Sequence, residues 1–262
     1  MSEGIVPPNR LRARLAEGRL TVGTMIVELH QPSLMVLLAG TGLDFVLIDT
    51  EHGPFSIESV AVLARTSRVM GMTPIVRVPE ITYAHVTQPL DAGAQGIMIP
   101  RVTSPDQVRF ALECMKYPPA GKRGVVLGRG HTMFHAGPLE EVLPAMNRET
   151  FLVVQIETAE AVGRLEQLLA IPGVDAALIG PSDLSVALGV AGQMEHPTLV
   201  NAIERTVKTC QDKGIVPAIH TNDVAMTASW ARRGMRMVSI SSESGLLMAG
   251  VRSAVETIRG DG

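Results

Sequence analysis

Short apolar runs recur along the chain, each followed by a polar turn and then by a longer segment of mixed character. The runs are Thr21–Ile26, Phe45–Asp49, Thr73–Val78, Gly96–Ile99, Phe151–Ile156, Ala176–Ile179, Ile215–Ile219 and Met237–Ile240. They are short and nearly unbroken, which is the pattern of parallel strands buried on both faces. The segments Gln31–Gly40, Ile57–Met70, Tyr83–Ala92, Pro105–Met115, Ala159–Ala170, Pro197–Lys213 and Asp223–Arg233 read as helices, and Leu246–Arg259 as a last one. Ser56 and Ser104 stand where helix caps belong, and Pro105 suits a first helical turn. Strands alternating with helices eight times predict an α/β fold, a (β/α)8 TIM barrel in one domain over residues 1–262. A doubly wound open sheet would carry a glycine-rich phosphate turn after its first strand, and none follows Ile26.

One stretch breaks the rhythm. Tyr117 to Met146 reads YPPAGKRGVVLGRGHTMFHAGPLEEVLPAM and carries Lys122, Arg123, Arg129, His131 and His135. A connection of this length is either a solvated excursion or a functional element. The functional reading is a lid or subunit contact beside the site.

Composition narrows the classes. The chain has 262 residues, 46% of them apolar, with mean hydropathy +0.23, enough for a large core. No apolar run approaches the roughly 20 residues that span a bilayer. The opening MSEGIVPPNRLRARLAEGRL lacks an apolar signal core, so a cytoplasmic protein is expected. Net charge is −3 with both signs scattered, and aromatics are 3%, which argues against nucleic acid as a partner. Cys114 and Cys210 are expected to be reduced, buried thiols. The methionines read as core filler.

In such a barrel, chemistry lies where strands end. Asp49, Glu51 and His52 follow the second strand, Arg77 ends the third, and Pro100 and Arg101 follow the fourth. Gln155 and Glu157 close the fifth, Ser182 and Asp183 follow the sixth, His220 ends the seventh, and Ser239 to Ser244 close the eighth. Glu157 and Asp183 are hard oxygen donors suited to Mg²⁺ or Mn²⁺. Arg77 is a fixed cation for a carboxylate or an oxyanion. His52 is the best general base by residue type, with Asp49, Glu51 and Asp91 as acidic neighbours to orient it. Each has a plainer account: a hydrogen-bonded histidine, a barrel-closing ion pair, a carboxylate favoured by a helix dipole, a helix cap. Four such residues on one rim outweigh those accounts.

The motifs FVLIDTEHGPFS, PIVRVP, LDAGAQGIMIPRV, YPPAGKRG, VVQIETAEAV and VDAALIGPSDLSVALG, with the later GMRMVSISSESGLL, resemble the HpcH/HpaI class of metal-dependent pyruvate aldolases, within the wider pyruvate/phosphoenolpyruvate barrels. The resemblance implies cleavage of 4-hydroxy-2-oxo acids to pyruvate and an aldehyde. It implies that Glu157 and Asp183 hold a divalent metal (Mg²⁺, Mn²⁺ or Co²⁺), and that Gln155 and the Ser182–Asp183 backbone position pyruvate. By the same resemblance His52 is the base, acting through a water, and Arg77 stabilises the enolate. Asp91 makes the histidine more basic, from a neighbouring subunit. It further implies a homohexamer, a trimer of dimers that exchange the last helix, Leu246–Arg259. No lysine stands at a strand end: Lys122 is in the long stretch, and Lys116, Lys208 and Lys213 are on helices or their ends. That argues against an imine-forming aldolase and fits a metal as electron sink. GRGHTMF in the long stretch, and Glu243 where an aspartate is expected, depart from the pattern on the aldehyde side. Two other readings compete. One is a CoA-ester lyase of the citrate lyase beta or malyl-CoA type, which needs cations for a nucleotide. The other is a non-catalytic binding barrel, which has no need to keep His52, Arg77, Glu157 and Asp183 together.

Overall fold

The computed structural model describes residues 5–260; the first four and last two residues of the expected 1–262 domain lie outside that range. Eight parallel strands close into a barrel in chain order. They are β1 (Thr21–Ile26), β2 (Phe45–Asp49), β3 (Thr73–Arg77), β4 (Gly96–Ile99), β5 (Phe151–Ile156), β6 (Ala176–Ile179), β7 (Val216–Thr221) and β8 (Met237–Ser242). The helices are α1 (Arg10–Ala16), α2 (Pro32–Ala39), α3 (Ile57–Val69), α4 (Tyr83–Ala92), α5 (Pro105–Met115), α6 (Leu139–Glu149), α7 (Ala159–Gly163), α8 (Leu165–Leu168), α9 (Pro181–Ala187), α10 (Pro197–Lys213), α11 (Val224–Arg232) and α12 (Glu243–Arg259). The (β/α)8 expectation is met.

The period-2 pleat divides every strand between two cores. Val46, Ile48, Val76, Ile97, Leu152, Val154 and Ile179 pack outward against the helices. Phe45, Leu47, Ile75, Met98, Phe151, Val153, Leu178, Ala218 and Met237 fill the barrel. Gly23 is needed there, because a Cβ at that position would overlap the Phe45 ring. At the end where strands begin, α1 plugs the barrel: Asn9 caps it by accepting the Arg12 N–H, and Leu11 joins the interior core. The same alternation, carried to the opposite end, turns Asp49, Arg77, Gln155, His220 and Ser239 inward.

Several details differ from the sequence expectation. Helix α1 and helix α6 were not foreseen. The first is too short to show a period, and the second begins inside the long stretch, runs past its end and has Pro144 in its middle. The segment expected as one helix over Ala159–Ala170 breaks at Arg164, whose φ −113° and ψ 17° leave the helical region. The last helix begins at Glu243 rather than Leu246, capped by the Ser242 hydroxyl, which accepts the Gly245 N–H. Its outer face leaves Leu247, Met248, Val251 and Ile258 exposed. Cys114 and Cys210 are buried and unbridged, as expected. Among the described residues no helix is long and apolar enough to cross a membrane.

Candidate active site

The strand ends meet over two adjoining cavities. One, of about 200 Å³, is lined by Met25, Leu47, His52, Arg77, Met98, Gln155, Gly180, Ser182, Asp183, His220 and Asn222, among others. The other, of about 300 Å³, is lined by Glu51, His52, Arg77, Arg101, Glu157, Thr158 and Asp183. His52, Arg77, Gln155, Glu157, Ser182 and Asp183 are therefore brought together. Two methionines read as core filler, Met25 and Met98, also form cavity wall.

Asp49 and Arg77 sit opposite each other in the β2–β3 register. The guanidinium grips the carboxylate with two bonds, Nε to Oδ1 at 2.8 Å and Nη2 to Oδ2 at 2.6 Å. Its remaining nitrogen, Nη1, is 3.4 Å from Glu51. Burial pushes the Asp49 carboxyl up, but the Arg77 hydrogen bonds and charge outweigh it and hold the group below the usual carboxylate range. Burial likewise works against the Arg77 charge, and Asp49 with Glu51 more than restores it. The plain account of Arg77 as an ion pair is thus true, and the same guanidinium lines both cavities.

Glu157 is 5% exposed, and burial raises its pKa above the ordinary value; the Arg101 N–H opposes this, while Asp183 and Glu51 add to it. The Arg101 amide donates to Glu157 Oε1 at 2.7 Å, and the Gln155 amide donates to Oε2. Gly180 stands beside this pair: a Cβ there would lie 3.3 Å from the Gln155 side-chain nitrogen and 3.5 Å from Glu157 Oε2. Asp183 lies in the first turn of α9, with Pro181 at its first position. The early N–H groups of a helix have no partner within it, so the Ser182 and Asp183 amides face the cavity end of α9. Gln155 Oε1 is buried without a hydrogen-bond partner among the described residues.

His52 is 73% exposed, with its Nε2 3.9 Å from Glu51 Oε2. Of the three acidic neighbours considered for it, Glu51 is the near one. Asp49 accepts the His52 backbone N–H at 3.4 Å while its carboxylate serves Arg77. Asp91 is not brought to His52 within the chain; it lies at the end of α4 and accepts a 2.5 Å bond from the buried Arg123. His220 bonds Ser239 Oγ through Nδ1 at 2.9 Å; burial, helped by Arg77 and opposed by Asp49, pushes its pKa down to about 4. Lys116, brought down to about 8 mainly by burial, bonds Asn147 O and Thr150, so it stands at the opposite end of the barrel. Glu243, the departure noted at strand eight, accepts the Val27, Glu28 and Leu29 N–H groups and fixes the turn after β1. Sequence reading missed Asn222, two residues past His220, and the Arg101 amide as a partner of Glu157.

A family model described as HpcH/HpaI aldolase/citrate lyase matches residues 24–249. The chain belongs to this family. Both activities in the family's description are carbon–carbon lyases. The HpcH/HpaI match runs from β1 into α12 and so includes every strand-end residue described above. Hydroxypyruvate/pyruvate aldolase of Roseobacter denitrificans is 32% identical, over 92% of this chain and 94% of that protein. A 4-hydroxy-2-oxo-heptane-1,7-dioate aldolase of Escherichia coli is 33% identical, over 91% of this chain and 90% of its own length. The crystal structure of an HpcH/HpaI aldolase from Desulfitobacterium hafniense superposes with TM-score 0.91 at 34% identity, covering 95% of this chain and 96% of that one.

Proposed function

We propose that this protein is a divalent-metal-dependent aldolase that cleaves 4-hydroxy-2-oxo acids to pyruvate and an aldehyde. The carrying observation is Glu157. A buried carboxylate facing Asp183 and Glu51 is electrostatically costly, and its raised pKa records that cost. A divalent cation held by Glu157 and Asp183 removes the cost, and the all-oxygen donor set suits Mg²⁺, Mn²⁺ or Co²⁺. With two protein carboxylates as its ligands, the cation would take water and substrate oxygens for the rest of its shell. The unpartnered Gln155 Oε1 and the first amides of α9 are polar groups available to them. When bound, the cation supplies the electron sink that the C2 ketone needs.

The chain's own residues do the rest. His52, directly or through a water, takes the proton of the C4 hydroxyl. The C3–C4 bond then breaks, the aldehyde leaves, and the electron pair becomes the pyruvate enolate, with its oxygen against the Arg77 guanidinium. A proton returned to C3 completes pyruvate. Exposure of His52 suits a group that meets the substrate at the open side and lets the aldehyde go. Asp91, held by Arg123 in its own chain, acts on the histidine of a neighbouring copy in this reading. The exposed apolar face of α12 supports association of copies, as a hexamer of helix-exchanging dimers. Both aldolase-named relatives at 32% and 33% identity favour this reading over a CoA-ester lyase.

The test is pyruvate release from a panel of 4-hydroxy-2-oxo acids, in EDTA and after adding back Mg²⁺, Mn²⁺ or Co²⁺. Release that EDTA abolishes and a cation restores is the expected result. No release with any substrate and cation, together with cleavage of a CoA ester, overturns it.

A further inference from the structure

Arg101 follows β4 with φ +50°, a left-handed conformation that a non-glycine residue keeps only where its surroundings fix it. Its backbone N–H is committed to Glu157. Its side chain crosses the rim: Nε is 3.2 Å from Glu51 Oε1, and Nη2 donates to the Pro79 carbonyl at 3.0 Å. Those two contacts hold the guanidinium while the side chain remains 64% exposed. Arg77, the other cation of the cavity, is buried against Asp49 and Glu51 and serves the enolate end. Arg101 Nη1 has no partner among the described residues, so Arg101 is the rim cation with capacity left for a ligand.

Its position gives that capacity a use. Resting on the aldolase reading, the pyruvate half of the substrate occupies the buried end, beside Glu157 and Gln155. The substituent on C4 then points to the opening, where His52 and Arg101 stand. Glu51 lines that opening; Glu80 and Asp106, which line the adjoining cavity that Arg101 also borders, lie beside His85 and Arg109. Without the Arg101 side chain the nearest charge at this mouth is the Glu51 carboxylate, which repels an anion. The geometry points to Arg101 as the specificity-determining residue for the aldehyde: it selects aldehydes whose far end carries a carboxylate.

The experiment uses the cation-loaded enzyme in the condensation direction. The base removes a C3 proton from pyruvate, C3 bonds to the aldehyde carbon, and the carbonyl oxygen takes up a proton. Condensation with succinic semialdehyde is compared with condensation with butanal, in wild type, Arg101→Gly and Arg101→Lys. Glycine accepts the +50° backbone, so the amide bond to Glu157 is retained. Wild type should prefer succinic semialdehyde in kcat/KM. Arg101→Gly should lower that preference by roughly 10- to 100-fold, chiefly through KM, on the scale of a charged hydrogen bond. Arg101→Lys should keep part of it, as a point charge without the planar fork. A preference unchanged in Arg101→Gly, or an equal loss on both aldehydes, overturns the assignment alone. A wild-type enzyme that condenses pyruvate with neither aldehyde overturns the aldolase reading and this inference with it.

Discussion

The two ends of the barrel are built from the same residue types and use them differently. Where strands begin, each carboxylate is matched to its own partners. Asp44 accepts the Val22 N–H at 2.8 Å and pairs with Arg14, and Asp175 accepts the Leu152 N–H at 2.8 Å and pairs with Arg12. Each is an acid just before one strand, tied to the first amides of the neighbouring strand. Where strands end, Asp49, Glu51, Glu157 and Asp183 share Arg77, Arg101 and the exposed His52 among the described residues. One end is balanced; at the other, burial first and the neighbouring Asp183 and Glu51 charges second raise the Glu157 pKa. Charge that is fully paired holds a fold together, and charge left over marks where something else is to bind.

The sharpest way to break the comparison is to remove the excess. Asp183→Ala should abolish turnover and the binding of Mn²⁺ followed by calorimetry, yet leave the fold intact, because Asp183 is exposed. Retained metal-dependent turnover would refute the ligand assignment. Glu157→Gln should also be inactive, while the metal-free protein melts no lower than wild type, since a buried charge has been removed. Next in size, His52→Ala should cost about 10²–10⁴ in rate, the scale of a general base. At 73% exposure it should leave thermal stability unchanged; an unchanged rate would make His52 a bystander.

The opposite end should answer the other way. Asp44→Ala strips the Val22 N–H of its acceptor and Arg14 of its partner at a buried position. A loss of about 1–3 kcal/mol in denaturant unfolding is expected, with kcat and KM unaltered. A rate loss without a stability loss would erase the distinction between the ends.

Much of this contrast was legible in the residues, and the reason is the pleat. Asp49, Arg77, Gln155 and His220 each stand two residues past an inward-facing residue, Leu47, Ile75, Val153 and Ala218, so alternation carries them into the barrel. Where the partner comes from distant chain, nothing local reports it. Arg123 finds Asp91 across 32 residues of sequence, from the long irregular stretch that follows α5. The Arg101 amide reaches Glu157 across 56 residues, and a backbone donor carries no residue-type signal at all. Helix α1 was hidden by its 7 residues, too few for a helical period to emerge. Glu243 looked like a site variant and proved to be a clasp on the β1 turn, a role set by three amides rather than by its own neighbours in sequence.

The smallest effect separates the two kinds of ionisable group at the active end. His220 is held neutral: burial brings its pKa down to about 4, against an ordinary value of 6.5. Between those values the unfolded chain binds a proton that the folded one refuses, so stability is full above the unfolded pKa and is lost as pH falls toward the folded one. Glu157 runs in the opposite sense. Its raised pKa lets the folded state hold a proton that the unfolded state has released, so its contribution is lost as pH rises through the carboxylate range. In metal-free protein, wild type should lose on the order of 1 kcal/mol from His220 between pH 6.5 and 5.5. His220→Asn should lack that part of the slope, measured by urea unfolding across the window. Identical slopes would mean that the folded ring takes up its proton as readily as the unfolded one, which would place a further cation beside the carboxylates at mildly acid pH and weaken the case that their charge awaits a metal.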